Sequence, residues 1–239
     1  MKTFYIVLVA LAVLLVLYVA YSGVKLYLTV QVSKKLVHNA VPYQNITVDT
    51  SKPFLILGDS TAVGVGASEP DYTLGGRVAH AIGTTYAENH AVSGAVVADL
   101  PGQIYQAKLP HYHLILIQIG ANDIIQFHNA AKTATQLQSI LKTLPQADKV
   151  IIISAGDVGG ATLFPIFIRP FHTWGNNAFN TAFTAATTAA GATYVNLTQD
   201  SSTKIISANP KKYLAADGLH PSDAGYALWF QAIQNELPK

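Results

Sequence analysis

The sequence predicts an α/β domain built on a parallel sheet with helices on both faces, preceded by one apolar helix. Three observations predict it. Short apolar runs of strand length recur along the chain, at Phe54–Leu57, His113–Ile119 and Val150–Ser154. Helical patterns separate them, and strand–helix alternation is the signature of a parallel sheet covered on both sides. Ahead of all this, Thr3 to Val24 carries no charge, and Phe4 to Tyr21 is unbroken apolar sequence.

The N-terminal run comes first in order. At about 1.5 Å per residue, a helix of that length crosses a hydrocarbon core of about 30 Å. A cleaved signal peptide is the competing reading, with small residues at Ala20-Tyr21-Ser22 suited to cleavage. The run exceeds the roughly 7–15 apolar residues of an ordinary signal-peptide core, which favours an uncleaved anchor. Residues 1–24 are therefore read as a single-pass anchor, 25–50 as a polar juxtamembrane linker, and 51–239 as the folded domain. Lys2 precedes the span and Lys25, Lys34 and Lys35 follow it. That bias leans slightly against export. An extracytoplasmic domain is nonetheless expected, by analogy with exported anchored enzymes.

Within the domain, Phe54–Leu57 follows Pro53 and reads as a fully buried strand. Leu74–Ile82 reads as a helix closed by Gly83, and Thr85–Glu88 as a weaker strand. Val97–Ala107 has helical spacing, His113–Ile119 is the central apolar strand, and Ala130–Leu144 is a helix stopped by Pro145. Val150–Ser154 is the next strand. Asn176–Ala190 is a helix ending at Gly191, Thr193–Asn196 a weaker strand, and Asp223–Glu236 a final helix. Gly156–Trp174 breaks the alternation, holding Phe164, Phe167, Phe171 and Trp174 among Gly and Pro residues. A long loop of this kind is often a lid or binding loop. Its aromatics read either as an apolar substrate wall or as side chains that close the core or touch the membrane.

Composition narrows the function. Of 15 basic residues, Lys2, Lys25, Lys34 and Lys35 precede Ser51, as does one of 13 acidic residues, Asp49. The domain thus has 11 basic against 12 acidic residues, and the overall charge of +2 belongs to the juxtamembrane region. A domain without a basic bias is not expected to bind nucleic acid. Basic residues beside the span suit anionic lipid headgroups. There is no cysteine, hence no disulfide and no thiolate metal site. No His-x-x-x-His pattern or carboxylate cluster points to a metal.

The chemistry-bearing residues sit where such a sheet binds ligands, at the carboxyl ends of its strands. Gly58-Asp59-Ser60-Thr61 follows the first strand and places a serine hydroxyl there. Gly120-Ala121-Asn122-Asp123 follows the central strand, and the Asn122 amide can donate to a developing oxyanion. Val92-Ser93-Gly94-Ala95 follows the second, with the Gly94 N–H a further donor. Asp217-Gly218-Leu219-His220 can join a carboxylate to one imidazole nitrogen and leave the other for the Ser60 proton. Each piece has a plainer reading. Asp59, Ser60, Asn122 or Asp123 can cap helices. Gly94 can be a turn glycine, and Asp217 can pair with His220 structurally. The other seven histidines, including His111, His113 and His172, read as surface or satisfied polar residues.

Taken together and in this order, the motifs resemble the SGNH (GDSL-type) hydrolase family, from about Pro53 to the end. Gly58-Asp59-Ser60 is similar to its first block, with the nucleophile at Ser60. Asn89-His90-Ala91-Val92-Ser93-Gly94 is similar to the second, with the oxyanion glycine at Gly94. Gly120-Ala121-Asn122-Asp123 is similar to the third, with the oxyanion amide at Asn122. Asp217-Gly218-Leu219-His220, continued by Pro221-Ser222-Asp223-Ala224-Gly225-Tyr226, is similar to the fifth. Thr61 replaces the leucine or isoleucine common after the nucleophile, and Ala91 replaces a frequent glycine. The resemblance implies a three-layer, flavodoxin-like α/β/α sandwich on a sheet of about five parallel strands. It implies hydrolysis of acyl esters through a covalent acyl-enzyme, with no metal or organic cofactor. The aromatic segment and the anchor favour a lipid or lysophospholipid ester. A carbohydrate or cell-wall O-deacetylase and a non-catalytic binding module on the same fold are the alternatives.

Overall fold

The computed structural model describes residues 1–199 and 201–238. It opens with helix α1 (Lys2–Asn39), which does not stop at Val24 but runs through Lys25, Lys34 and Lys35. The expected linker of residues 25–50 is thus helical for its first part. A helix needs no apolar residues to propagate once nucleated. Every position up to Tyr21 is exposed, whereas Ser22 is buried and Leu26, Thr29, Ser33 and Leu36 are partly shielded.

The domain follows: β1 (Phe54–Gly58), α2 (Ser60–Val63), α3 (Leu74–Ile82), β2 (Ala87–Asn89), α4 (Leu100–Ile104), β3 (His111–Gln118), α5 (Ala121–Ile125), α6 (Ala130–Leu141), β4 (Gln146–Ile153), α7 (Arg169–Ala189), β5 (Thr193–Val195), α8 (Ser201–Ala208), α9 (Pro210–Tyr213) and α10 (Asp223–Ile233). The five strands pair in the order β2-β1-β3-β4-β5, all parallel. Phe54 of β1 sits opposite Ala87 on one side and Leu114 on the other.

Strand side chains alternate between faces, and β1 uses both. Leu55 and Leu57 join Ile115, Ile117, Leu137 and Phe183 in one core, on the side of α6 and α7. Phe54 and Ile56 join Leu114, Leu116, Val78 and Tyr226 in the other, on the side of α3 and α10. The architecture is therefore the expected α/β/α sandwich. The chain leaves β1 toward β2, then crosses back to β3 on β1's opposite side. That reversal makes the carboxyl ends of β1 and β3 the topological switch point, where open α/β sheets bind ligands.

Two segments and three short helices differ from the sequence expectation. Val97–Ala107 is a 3₁₀ turn at Val97–Asp99 followed by the short α4, because Pro101 has no N–H and is tolerated only in the first turn. The segment Gly156–Trp174 is not all loop: α7 begins at Arg169 with Pro170 in its first turn, adding about two turns ahead of Asn176. Helices α5, α8 and α9 are too short to show a period in the sequence.

Candidate active site

Gly58 closes β1 with φ +136, and a Cβ there would run into the Gln118 carbonyl, so only glycine fits. Asp59 then caps α2, its Oδ1 accepting from the Thr61 N–H at 2.9 Å and the Thr61 hydroxyl at 2.8 Å. The capping alternative therefore falls to Asp59, and Ser60 is left as the first helical residue with its hydroxyl free for other use. Burial pushes the Asp59 carboxyl up to about 6, although the Thr61 hydrogen bonds and the nearby His220 pull the other way.

Ser60 Oγ lies 2.8 Å from His220 Nε2. His220 Nδ1 lies 2.6 Å from Asp217 Oδ2, while Asp217 Oδ1 accepts from the Leu219 and His220 N–H groups at 3.0 and 3.1 Å. An ionised Asp217 only accepts, so Nδ1 carries the proton and Nε2 offers its lone pair to the Ser60 hydroxyl. Burial alone would raise the Asp217 carboxyl. The hydrogen bond and charge of His220, with the two backbone donors, outweigh it and hold it below its ordinary value. Ser60, Asp217 and His220 are all buried. The structure thus brings together side chains that are 160 residues apart in the chain.

Asn122 and Gly94 border one cavity with Ser60 and His220. Asn122 Nδ2 donates one proton to the Ala95 carbonyl at 2.9 Å, which fixes which amide atom is nitrogen and leaves its second proton available. Neither Asn122 nor Asp123 caps α5. Asp123 instead accepts from the Val97 N–H at 3.0 Å and pairs with His128 at 2.9 Å. Gly94 sits at φ +88, a conformation suited to glycine, and borders the same cavity. The cavity holds about 230 Å³, with Ser60, Gly94, Asn122 and His220 in its wall. Ile125, Val158, Leu214, Leu219 and Trp229 make the rest of the wall mostly apolar, and Ser33 and Val37 of α1 reach it as well.

The segment Gly156–Trp174 lends Gly156, Asp157, Val158, Gly160 and Ala161 to the cavity wall, but its aromatics are placed elsewhere. Phe164, Phe167, Phe171 and Trp174 do not line this cavity. Phe164 turns inward against the core and His172, with ring centroids 4.5 Å apart. The other three are exposed, and Phe167 meets Tyr18 of α1. The apolar wall expected of them is made instead by residues after β3 and β4 and around α8 and α10. Aromatic composition says nothing about which way a segment faces.

Several supports were not legible. Gln103 clamps Gly58 from both sides, accepting from its N–H at 2.7 Å and donating to its carbonyl at 2.8 Å. Asn89 donates to the Ala62 carbonyl at 2.9 Å and accepts from the Ala91 N–H, tying the Gly94 loop to α2. The Tyr226 hydroxyl donates to the Val65 carbonyl at 2.9 Å. Among the described residues, no group of three or more His, Asp or Glu is arranged to hold a metal.

The sequence model of the GDSL-like lipase/acylhydrolase family matches residues 56–228. A curated GDSL-like esterase of Mycobacterium tuberculosis is 30% identical over 183 residues, covering 73% of this chain and 58% of that protein. The chain therefore spans little more than half the length of that relative. Among solved structures, a phospholipase A1 from Streptomyces albidoflavus is similar with a TM-score of 0.58 at 16% identity, over 78% of this chain and 99% of that one. A mutant of an acetyl-xylooligosaccharide esterase from Geobacillus is similar with a TM-score of 0.59 at 17% identity, over 81% and 97%. At such identities the likeness is one of fold.

Proposed function

The chain belongs to the GDSL-like lipase/acylhydrolase family, and from that premise we propose a membrane-anchored serine hydrolase that cleaves carboxylic esters of apolar acyl groups. One observation carries the reading: Ser60 Oγ is 2.8 Å from His220 Nε2, Asp217 holds the other imidazole nitrogen at 2.6 Å, and the serine borders an apolar cavity. Ser60 Oγ attacks the acyl carbonyl while its proton passes to His220 Nε2. The Ser60 and Gly94 N–H groups and the second Asn122 amide proton hold the oxyanion. His220 returns the proton to the departing alcohol; water, deprotonated by the same nitrogen, then attacks the acyl carbon, the bond to Ser60 Oγ breaks, and His220 gives its proton back to Oγ as the acid leaves. Asp217 keeps the tautomer and steadies the imidazolium. The chemistry is complete with these side chains and calls on no cofactor.

The cavity supports an acyl group longer than acetyl. At about 30 Å³ per water-sized group, 230 Å³ accommodates about seven or eight such groups. Together with α1 read as an uncleaved span, this favours lipid or lysophospholipid esters presented at a membrane, with the domain on the extracytoplasmic side. The test is an acyl-length series of alcohol esters hydrolysed by the full chain in detergent. At about 0.8 kcal/mol per buried methylene, kcat/KM should rise about fourfold per carbon until the cavity is full. A maximum at acetyl would overturn the lipid reading and assign the site to O-deacetylation.

A further inference from the structure

Ile166, Phe167, Phe171 and Trp174 are 68, 47, 60 and 76% exposed. They lie close together in the chain, with Phe171 and Trp174 three residues apart on α7, and clustered exposed apolar side chains on a folded domain mark an interaction site. The exposure is built into the frame. The Arg169 guanidinium donates to the Phe164 carbonyl at 3.0 Å and the Thr162 carbonyl at 3.4 Å, tying down the turn that enters α7. The same segment sends Phe164 inward, so its aromatics are sorted between core and surface.

Helix α1 fixes the level at which this face lies. The Phe167 ring meets Tyr18 edge-on, with centroids 6.3 Å apart. Tyr18 stands inside the uncharged stretch Thr3–Val24, about 9 Å before its end along the helix. From Ser22 onward, shielded positions recur at intervals of three and four residues, through Leu26, Thr29, Ser33 and Leu36. The domain therefore covers α1 down to the last turns of its apolar stretch.

We infer that Ile166, Phe167, Phe171 and Trp174 are a membrane-docking face, seated in the headgroup–acyl boundary of the bilayer that α1 crosses. The inference rests on reading α1 as an uncleaved span. Lipid is the occupant favoured over a protein because the face is continuous with the span through Phe167 and Tyr18. It is also rich in the amphipathic and aromatic side chains that collect at membrane interfaces. Docking holds the domain in one orientation. Ser33, and with it one wall of the cavity, then stands about 14 Å beyond Val24, within reach of a lipid lifted partway from the leaflet.

The test uses full-length protein in phosphatidylcholine–phosphatidylglycerol vesicles, with and without bromine on the lipid acyl chains. The chain has two tryptophans, Trp174 exposed and Trp229 buried. The emission of Trp174 is read as the difference between the wild type and Trp174→Phe. Flotation at alkaline pH reports on the anchor separately. The expected result is protein that floats with the vesicles and loses its Trp174 emission when the lipid is brominated, while the remaining Trp229 emission is retained. Floating protein whose Trp174 emission is unchanged overturns the docking face and leaves the anchor standing. If that protein also forms a cross-linked dimer in detergent that Trp174→Ser abolishes, the face belongs to a second copy of the chain. Protein that does not float removes the anchor reading, and the docking face with it.

Discussion

Asp59→Asn isolates the effect of a buried charge beside the nucleophile. Asp59 is 1% exposed, and its Oδ1 alone accepts both Thr61 hydrogen bonds. An asparagine Oδ1 accepts the same two, so the substitution removes the charge and keeps the helix cap. In the unfolded chain this carboxyl ionises near 3.8, and burial pushes it up to about 6 in the folded protein. Below the lower value both states hold the proton and the charge costs nothing. Between the two values the folded state keeps a proton that the unfolded state has released. Stability therefore falls as pH rises through this window, and the full cost is present above about 6. At about 1.36 kcal/mol per pKa unit, a difference of about two units amounts to roughly 3 kcal/mol. The stability advantage of Asp59→Asn over wild type should thus grow by roughly 3 kcal/mol between about pH 4 and about pH 7. Urea unfolding of both proteins in the same detergent across that range measures it. A difference that stays flat, or that moves in favour of wild type as pH rises, refutes the reasoning.

Three further substitutions probe the site. Asn122→Ala should lower kcat about 10²–10³-fold with little change in KM, because the amide acts on the oxyanion and not on the bound ester; steady-state kinetics on a chromogenic ester reads this. Asp217→Asn should lower kcat about 10⁴-fold through loss of the Nδ1–H tautomer, while thermal unfolding shows the fold retained. Gln103→Leu leaves the buried Gly58 N–H without its side-chain partner, at about 1–3 kcal/mol, while the Gly58 carbonyl keeps the Val92 N–H at 3.0 Å. It should lower both the urea midpoint and kcat, since the strand end that carries Ser60 is released.

The sequence was most readable where one residue type answers one physical demand. Phe54–Leu57 reads as a strand because both of its faces are buried, Leu55 and Leu57 in one core and Phe54 and Ile56 in the other. The weaker β2 contains Glu88, a polar residue that the core accepts only because Tyr86, Tyr112 and His90 bond to its carboxylate. None of those partners is implied by the local pattern. Helix α1 was legible up to Val24 and not beyond, because its shielded stripe from Ser22 to Leu36 mixes Ser and Thr with Leu. Asp217 and His220 could be paired from their spacing, whereas Gln103 lies 45 residues from the glycine it clamps. Trp229 enters the cavity from α10, and only the packing of that helix brings it there. The aromatic segment is the sharpest case. Its composition was plain, but whether Phe171 and Trp174 face a substrate or the outside depends on how α7 seats against the domain.

The central claim is that Ser60 is a nucleophile activated by His220. Incubation of the full chain with a fluorophosphonate, followed by mass analysis of its peptides, tests it most directly. One stoichiometric adduct is expected on the Ser60 peptide, absent in Ser60→Ala and much slower to form in His220→Ala. No adduct on intact protein, or equal labelling of Ser60→Ala, would contradict it.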